Sequence, residues 1–434
     1  MASRPALDVW LYDALIGTLS EPKYGKLRFD YSIEAEASFR PGSIVLSTSM
    51  PVNADRRPRG DVVRAFFDGL LPEGDARGVL SDEFSVRRGD HFGLLSAIGR
   101  DCAGAIVLLP AGMPVHEADS RVEQLSEPDL ESLIAHLKER PLGADIDVRV
   151  SLPGAQEKLL LAIAPDGSWG RPLGGAPSTH ILKPQDMRFD AYAAAEAFCL
   201  DLARNLDLTD VESYVVEIAG RPTIVVSRYD RRRTQTGVVR IHQEDACQAL
   251  GVDCSNQPRR KYQSDGGPSL AAFAGVLAEF APIKDRSKLL ALTTLNVAVG
   301  NADAHAKNLS ILHNEDGTIR LAPAYDLTPT TFYTNIPTPD GPKDMSDNLG
   351  MWVHGKRGIH DVSAEDLIRE GTTWGLPEST ASHVVNSTLE RIDGHIPAAA
   401  KSAKIPKAMI DFVASRTAAL LVGKPPRRLR TTGS

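Results

Sequence analysis

Four cysteines among 434 residues, at positions 102, 199, 247 and 254, include no C-x-x-C pair. That leaves neither a zinc-site spacing nor a disulfide framework, and a chain this long buries a sizeable core without such staples. Cys199 lies inside an apolar helical pattern, and all four read as reduced core residues of a cytoplasmic protein. Long apolar runs are also missing. No stretch of about 18 uninterrupted apolar residues occurs, so no membrane span is expected. Asp8 and Asp13 break the only apolar stretch near the N-terminus, which excludes a secretory h-region. A basic surplus is lacking as well: 49 Lys and Arg face 56 Asp and Glu, for a net charge of −7. A broadly basic nucleic-acid surface is therefore disfavoured, although a local patch is not. What remains is an ordinary globular composition whose length predicts two or three domains.

The first hundred residues read mostly as strands. Leu7–Leu15, Leu27–Tyr31 and Ile44–Ser47 are short, β-rich and bounded by Gly, Pro or charge. Asp61–Leu70 is an amphipathic helix stopped by Pro72-Glu73-Gly74. A tight turn over Gly99–Gly104 leads into the strand Ala105–Leu109. The polar stretch from Pro110 is the first boundary, so 1–110 forms a first domain and 111–145 a linker with connecting helices. A second β-rich block, 146–234, holds a hairpin from Lys158–Ile163 across the Asp166-Gly167 turn, then the strand His180–Lys183. The helix Ala191–Leu206 and the strands Ser213–Ile218 and Pro222–Ser227 complete it. From 235 to 423 the patterns are helical: Glu244–Leu250, Leu270–Phe280, Ser287–Val299, Ala364–Glu370, Ser379–Ile392 and Lys407–Leu421. A basic tail, 424–434, carries Lys424, Arg427, Arg428 and Arg430 without an acid.

A β-rich lobe followed by a helical lobe is a layout of ATP phosphotransferases, but architecture alone does not give function. The junction residues carry the argument. Asp303 and Asn308, directly after an apolar helix, have the D-x-x-x-x-N spacing of a kinase catalytic loop. That spacing lets a carboxylate meet an acceptor hydroxyl while an amide oxygen, one short loop away, reaches magnesium. Asp326, after the Leu321–Tyr325 segment, then reads as a second Mg²⁺ ligand rather than as a turn former. Lys183, ending a strand, can reach the α- and β-phosphates of ATP, and Glu196 on the next helix is its natural ion-pair partner. A single lysine or helix glutamate is more often a solvated surface residue; the set together shifts that balance. Ser227, Tyr229 and Asp230 sit at the lobe junction, where backbone groups would bind adenine and Asp230 could reach the ribose. No G-x-G-x-x-G precedes Lys183 and neither D-F-G nor A-P-E occurs, which disfavours an ordinary eukaryotic-type protein kinase.

On these residues the sequence resembles the HipA-family serine/threonine kinases, toxins of bacterial type II toxin–antitoxin pairs. The likeness runs over nearly the whole chain. It includes Phe66–Pro72 and Ile98–Ala105 in the first domain, Ser151–Lys158 with its G-A-Q-E-K core, and His180–Pro184. It continues through Gln243-Glu244-Asp245, Tyr262–Pro268 and the D-x-H-A-K-N loop. The resemblance implies an α+β, protein-kinase-like bilobal fold preceded by a small β-rich N-terminal domain. It assigns Asp303 as the catalytic aspartate, Asn308 and Asp326 as magnesium ligands, and Ser151 as an autophosphorylated serine in the loop over the nucleotide phosphates. A phosphate there would repel the triphosphate and switch the kinase off. The nucleotide-binding set is then Lys183, Glu196, Ser151, Gly154, Ser227, Tyr229, Asp230 and His305. One departure is Ser227-Arg228-Tyr229-Asp230 in place of the family's acidic-Arg-Phe-Asp, which puts a side-chain contact from position 227 in doubt.

The resemblance also implies a protein substrate, an aminoacyl-tRNA synthetase with glutamyl-tRNA synthetase foremost. It implies a small helix-turn-helix antitoxin (HipB-like), and operator DNA reached through that partner. Two other readings stay open: a small-molecule kinase using the same D-x-x-x-x-N loop, and a binding subunit that mainly serves a repressor complex. The runs Arg231-Arg232-Arg233 and Arg427-Arg428 could touch phosphates in the latter, though solvated loops are the commoner meaning of such runs.

Overall fold

The computed structural model describes residues 5–53, 57–114, 120–145, 147–154, 156–164, 166–235, 237–255, 257–314 and 316–428. Arg430 of the basic tail and Ala155 of the G-A-Q-E-K segment lie outside that set.

The N-terminal domain is built on an antiparallel sheet in the order Lys26–Tyr31, Ala14–Lys23, Leu7–Leu11, Ile106–Pro110. Alternation in Leu7–Leu11 buries Leu7, Val9 and Leu11 on one face, as a half-buried strand requires. Against that face pack Phe66 and Phe67 of the helix Gly60–Asp68, with Phe29 beside them. Two further helices, Gly74–Glu83 and His91–Ile98, make the domain more helical than the sequence pattern suggested. The strand expected at Ile44–Ser47 does not form, because that segment is pinned sideways. Ser47 Oγ donates to Glu244 (2.5 Å) and Thr48 N to the same carboxylate (2.9 Å).

A six-stranded sheet follows, in the order Arg121–Gln124, Trp169–Leu173, Leu159–Ile163, His180–Pro184, Arg221–Ser227, Ser213–Ile218. The stretch expected as a linker is thus partly structural. Arg121–Gln124 forms the edge strand, and Glu127–Ala135, capped by Ser126, lays Leu130 and Ile134 on the sheet. Period-two alternation divides the sheet between cores. Leu159, Leu161 and Val225 face that helix, Leu160 joins the N-terminal domain's core, and Ile224 and Val226 join the large core of the helical lobe. The N-terminal domain and small lobe therefore share apolar packing.

In the helical lobe, Ser269 and Ser363 cap Leu270–Phe280 and Ala364–Thr373 through side-chain bonds to the first-turn amides. Ile283–Val299 is buried along most of its length. Glu378–Ala403 and Lys407–Leu421 wrap it, with Arg416 donating to Val297 O (2.8 Å) at its C-terminal end. A small sheet, His242–Asp245, Ser310–His313 and Ile319–Leu321, closes the interlobe side. Among the described residues no helix is long and apolar enough to cross a membrane. The architecture is the α+β, kinase-like bilobal one expected.

Candidate active site

Lys183 lies in a central strand, paired with Ile224 on the neighbouring strand. Its ammonium is 2.7 Å from Glu196 Oε1 and 3.0 Å from Asp326 Oδ1. Glu196 projects from the helix Tyr192–Asn205 and is buried. Burial opposes the lysine charge, but Asp326 and Glu196 more than offset it, so its pKa is raised and the group stays protonated. Conversely, the Lys183 charge beside Asp326 holds that carboxyl well below the usual range.

The loop bearing Asp303 starts where Ile283–Val299 stops at Gly300, whose φ of +81° favours glycine. A Cβ there would also lie 2.7 Å from Thr331 Oγ1 and 2.9 Å from the Phe412 ring. Backbone ties hold the loop: Ala302 N donates to Thr330 Oγ1 (2.9 Å) and Gly350 N to Ala302 O (2.8 Å). Asp303 is exposed, and its Oδ1 accepts a 2.7 Å bond from the Tyr262 hydroxyl. Desolvation by its neighbours pushes this carboxyl up; the Tyr262 bond pulls it down, and Asp326 pushes it up again. Asn308 Nδ2 donates to Asp326 Oδ2 (2.8 Å), and Asn308 Oδ1 accepts from His305 N (3.1 Å). Asp326 itself has a φ of +57°, an uncommon conformation for a non-glycine residue and one found at functional turns.

Asp326 and Asn308 thus present a carboxylate and an amide side by side, a donor set suited to Mg²⁺, which takes one or two protein oxygens and leaves the rest to phosphate and water. Among the described residues no three His, Cys, Asp or Glu side chains gather as a closed metal cage. His305 is buried, its ring edge-on to Tyr262 with centroids 5.2 Å apart. Burial pushes its pKa down to about 3, so the ring is neutral at physiological pH. Lys183, Glu196, Asp326, Asn308, His305 and Asp303 are therefore linked by contacts in one cleft: Asp326 joins the first two to Asn308, and Tyr262 joins His305 to Asp303.

The lobe junction is arranged differently from the expectation. Asp230 does not face the cleft. Both its oxygens bind Arg228 (2.9 and 2.7 Å), while Gly104 N donates to it (2.7 Å) and Arg231 lies 3.0 Å away. With the residue buried under these charges, no ribose contact is open to it. The Arg231–Arg233 run is divided: Arg231 is buried, whereas Arg232 and Arg233 are exposed. Arg231 is buried against Asp101 (2.8 Å), and Arg233 donates to Ile163 O (2.8 Å). The Gly99–Gly104 turn is thereby welded to the junction. Ser227 spends its hydroxyl accepting from Glu212 N (2.9 Å) and its own amide donating to Glu212 O (2.9 Å), so a hinge bond to adenine from Ser227 N is not available. Tyr229 stacks on Tyr325 with centroids 5.5 Å apart and bonds Gln243. Ser151 is buried, donating to Leu70 O (2.7 Å), and Gly154 O accepts from Glu73 N (3.3 Å).

Four residues with close ties to this cleft had no assigned role in the sequence reading. Tyr262 orients Asp303. Lys158 donates to Pro153 O (2.5 Å), and burial next to Lys183 lowers its pKa to about 8. Lys307, inside the catalytic-loop motif, and Glu73, from the N-terminal domain, pair at 2.9 Å. The first two fall in segments whose resemblance was visible; the Lys307–Glu73 pairing had no local signal.

The sequence profile of the HipA-like C-terminal domain matches residues 150–396, and that of the HipA N-terminal domain matches residues 7–109. The chain belongs to the HipA family. The provisionally named kinase Y4mE of Sinorhizobium fredii is 40% identical over 400 residues, covering 89% of this chain and 90% of that protein. The serine/threonine-protein kinase toxin HipA of Shewanella oneidensis is 26% identical, covering 91% and 88%. The solved complex of Shewanella oneidensis HipA with HipB and operator DNA contains a chain that superposes with a TM-score of 0.76 at 25% identity, over 96% of both chains. The present chain is accordingly a serine/threonine kinase of the HipA type.

Proposed function

We propose that this HipA-family kinase uses ATP and Mg²⁺ to phosphorylate a protein serine or threonine as the toxin of a toxin–antitoxin pair. An aminoacyl-tRNA synthetase, glutamyl-tRNA synthetase first, is the proposed target. The observation that carries the chemistry is the Lys183 ammonium, bound at once to Glu196 and Asp326, with Asn308 on the second Asp326 oxygen. In this reading Lys183 meets the α- and β-phosphates, and Asn308 and Asp326 hold the metal. Bound magnesium supplies charge neutralisation at the transferring phosphoryl group. Asp303, exposed and oriented by Tyr262, takes the acceptor hydroxyl's hydrogen bond and proton. Catalysis is positioning plus electrostatics.

Autophosphorylation at Ser151 is proposed as the off switch. The hydroxyl sits buried on Leu70 O, so the Ser151–Gly154 loop has to leave that seat first. The HipA–HipB–operator assembly of Shewanella oneidensis supports an antitoxin partner here. That this partner is a small helix-turn-helix protein carrying the operator contact follows the family resemblance and fits the chain's own charge of −7. The proposed locale is the cytoplasm. The test is phosphoproteomics after induced expression, wild type against Asp303→Asn, with transfer of labelled γ-phosphate by the purified proteins. A synthetase phosphosite present only with wild type is expected. Equal labelling and equal growth arrest by both proteins would sink the reading.

A further inference from the structure

The turn Leu70–Glu73 of the N-terminal domain reaches both loops that border the cleft. Leu70 O accepts from Ser151 Oγ (2.7 Å), and Glu73 N donates to Gly154 O (3.3 Å). The Glu73 carboxylate, with a side chain only 12% exposed, is bound by Lys307 (2.9 Å) through Oε1 and by Lys261 (2.8 Å) through Oε2. Lys307 lies between Asp303 and Asn308 in the catalytic loop, and its own carbonyl accepts from Tyr325 Oη (2.8 Å). Lys261 immediately precedes Tyr262, the residue bonded to Asp303. The other carboxylate near Lys307 is Asp245, at 3.9 Å, and it is engaged in capping the helix Ala246–Ala249. Lys307 and Lys261 are both largely buried, so removing Glu73 leaves two cations short of a counter-charge, an arrangement that relaxes by moving the chains that carry them.

We propose that Glu73 is a positioning residue for phosphoryl transfer: the N-terminal domain, through this carboxylate, holds the Asp303–Asn308 loop and Tyr262 in register with the Ser151–Gly154 loop. The N-terminal domain is then part of the catalytic apparatus and not only a docking module. The inference rests on the kinase reading for its kinetic test, and a second measurement frees it from that dependence.

The test compares wild type, Glu73→Gln and Glu73→Ala as full-length proteins. Displacement of a reacting group by about 1 Å costs on the order of 100-fold in rate. Glu73→Ala is therefore expected to lower kcat by about 10- to 100-fold with KM for ATP changed less than about threefold, and Glu73→Gln to fall between. In parallel, hydrogen exchange of the peptides spanning 303–308 and 261–263 is expected to speed up at least tenfold in Glu73→Ala, with the core helix Ile283–Val299 unchanged. Wild-type kcat in Glu73→Ala, or a defect confined to KM, overturns the proposal. So does unchanged exchange at 303–308, a result that is readable even if the wild type transfers no phosphate. An inactive wild type whose exchange nevertheless responds to Glu73→Ala would count against the kinase reading alone. Should Glu73→Ala fail to fold, the same criteria apply to Glu73→Gln.

Discussion

Neutralising Asp101 should loosen the joint between the N-terminal domain and the kinase lobes, and the structure sets the size of the effect. Asp101 is buried, 2.8 Å from Arg231, and 3.6 Å from each of Arg228 and Arg240; its Oδ2 also accepts from Ser178 N (2.9 Å) and Ser178 Oγ (2.6 Å). In Asp101→Asn, Asp230 alone must balance the buried guanidinia of Arg228 and Arg231. Breaking a buried pair by removing one partner costs about 3–5 kcal/mol, a large share of the roughly 5–15 kcal/mol that typically holds a domain folded. Urea unfolding followed by circular dichroism and by the tryptophan fluorescence measures it. The double variant Asp101→Leu/Arg231→Met, which removes both charges, is expected to recover at least half of the loss. The sign of the pH dependence follows from the same contacts. Burial opposes ionisation of Asp101, yet Arg231 and Arg228 hold its carboxyl well below the usual range. The unfolded chain's value is about 3.9. Its stabilisation is thus complete at neutral pH and is lost as pH falls below about 4 toward the lower folded value. Asp101→Asn should therefore flatten the acid limb of stability against pH. A loss under about 1 kcal/mol, or an acid limb as steep as the wild type's, would refute the assignment of the joint to these charges.

Three further outcomes follow from the cleft and its border. Lys183→Met strips the cation from Glu196 and Asp326 and should cut initial rates of phosphotransfer at least about 100-fold, with Glu196→Gln losing about tenfold; wild-type rates in Lys183→Met would contradict the site. Because the Asp303 carboxyl is pushed up and the Tyr262 bond partly counters this, kcat should rise with pH through an acid limb lying above that of an ordinary aspartate. Tyr262→Phe should move the limb to higher pH, and a shift the other way in a kcat–pH profile would show that the hydrogen bond is not what tunes Asp303. Gly104→Ala should destabilise by about 1–3 kcal/mol in the same urea assay. Gly104 has φ of +77°, and a Cβ there would stand 2.8 Å from Gln243 N.

How far the sequence could be read depends on how far apart the interacting groups lie along it. Asp303 and Asn308 belong to one short loop, and Lys183 and Glu196 to a strand and the helix after it, so spacing and residue type were enough to bring them together. The hairpin at Asp166-Gly167 and the helix Lys407–Leu421 were legible for the same reason, since turn chemistry and periodicity act locally. Asp230 was misread because its position after a strand matched a ribose-binding aspartate, whereas its partner Gly104 lies 126 residues away. The edge strand Arg121–Gln124, exposed at every position, shows no alternation at all and exists because Trp169–Leu173 offers it a backbone ladder. Glu73 and Lys261 are 188 residues apart. A P-E-G stop signal in the sequence says only that a helix ends; that the same glutamate pairs with Lys261 and Lys307 is decided by the shared apolar core between N-terminal domain and small lobe, which places the turn. Contacts within a loop can therefore be inferred from its letters, while contacts made to that loop from another domain are a property of packing, and the Glu73 pairs with Lys261 and Lys307 are of the second kind.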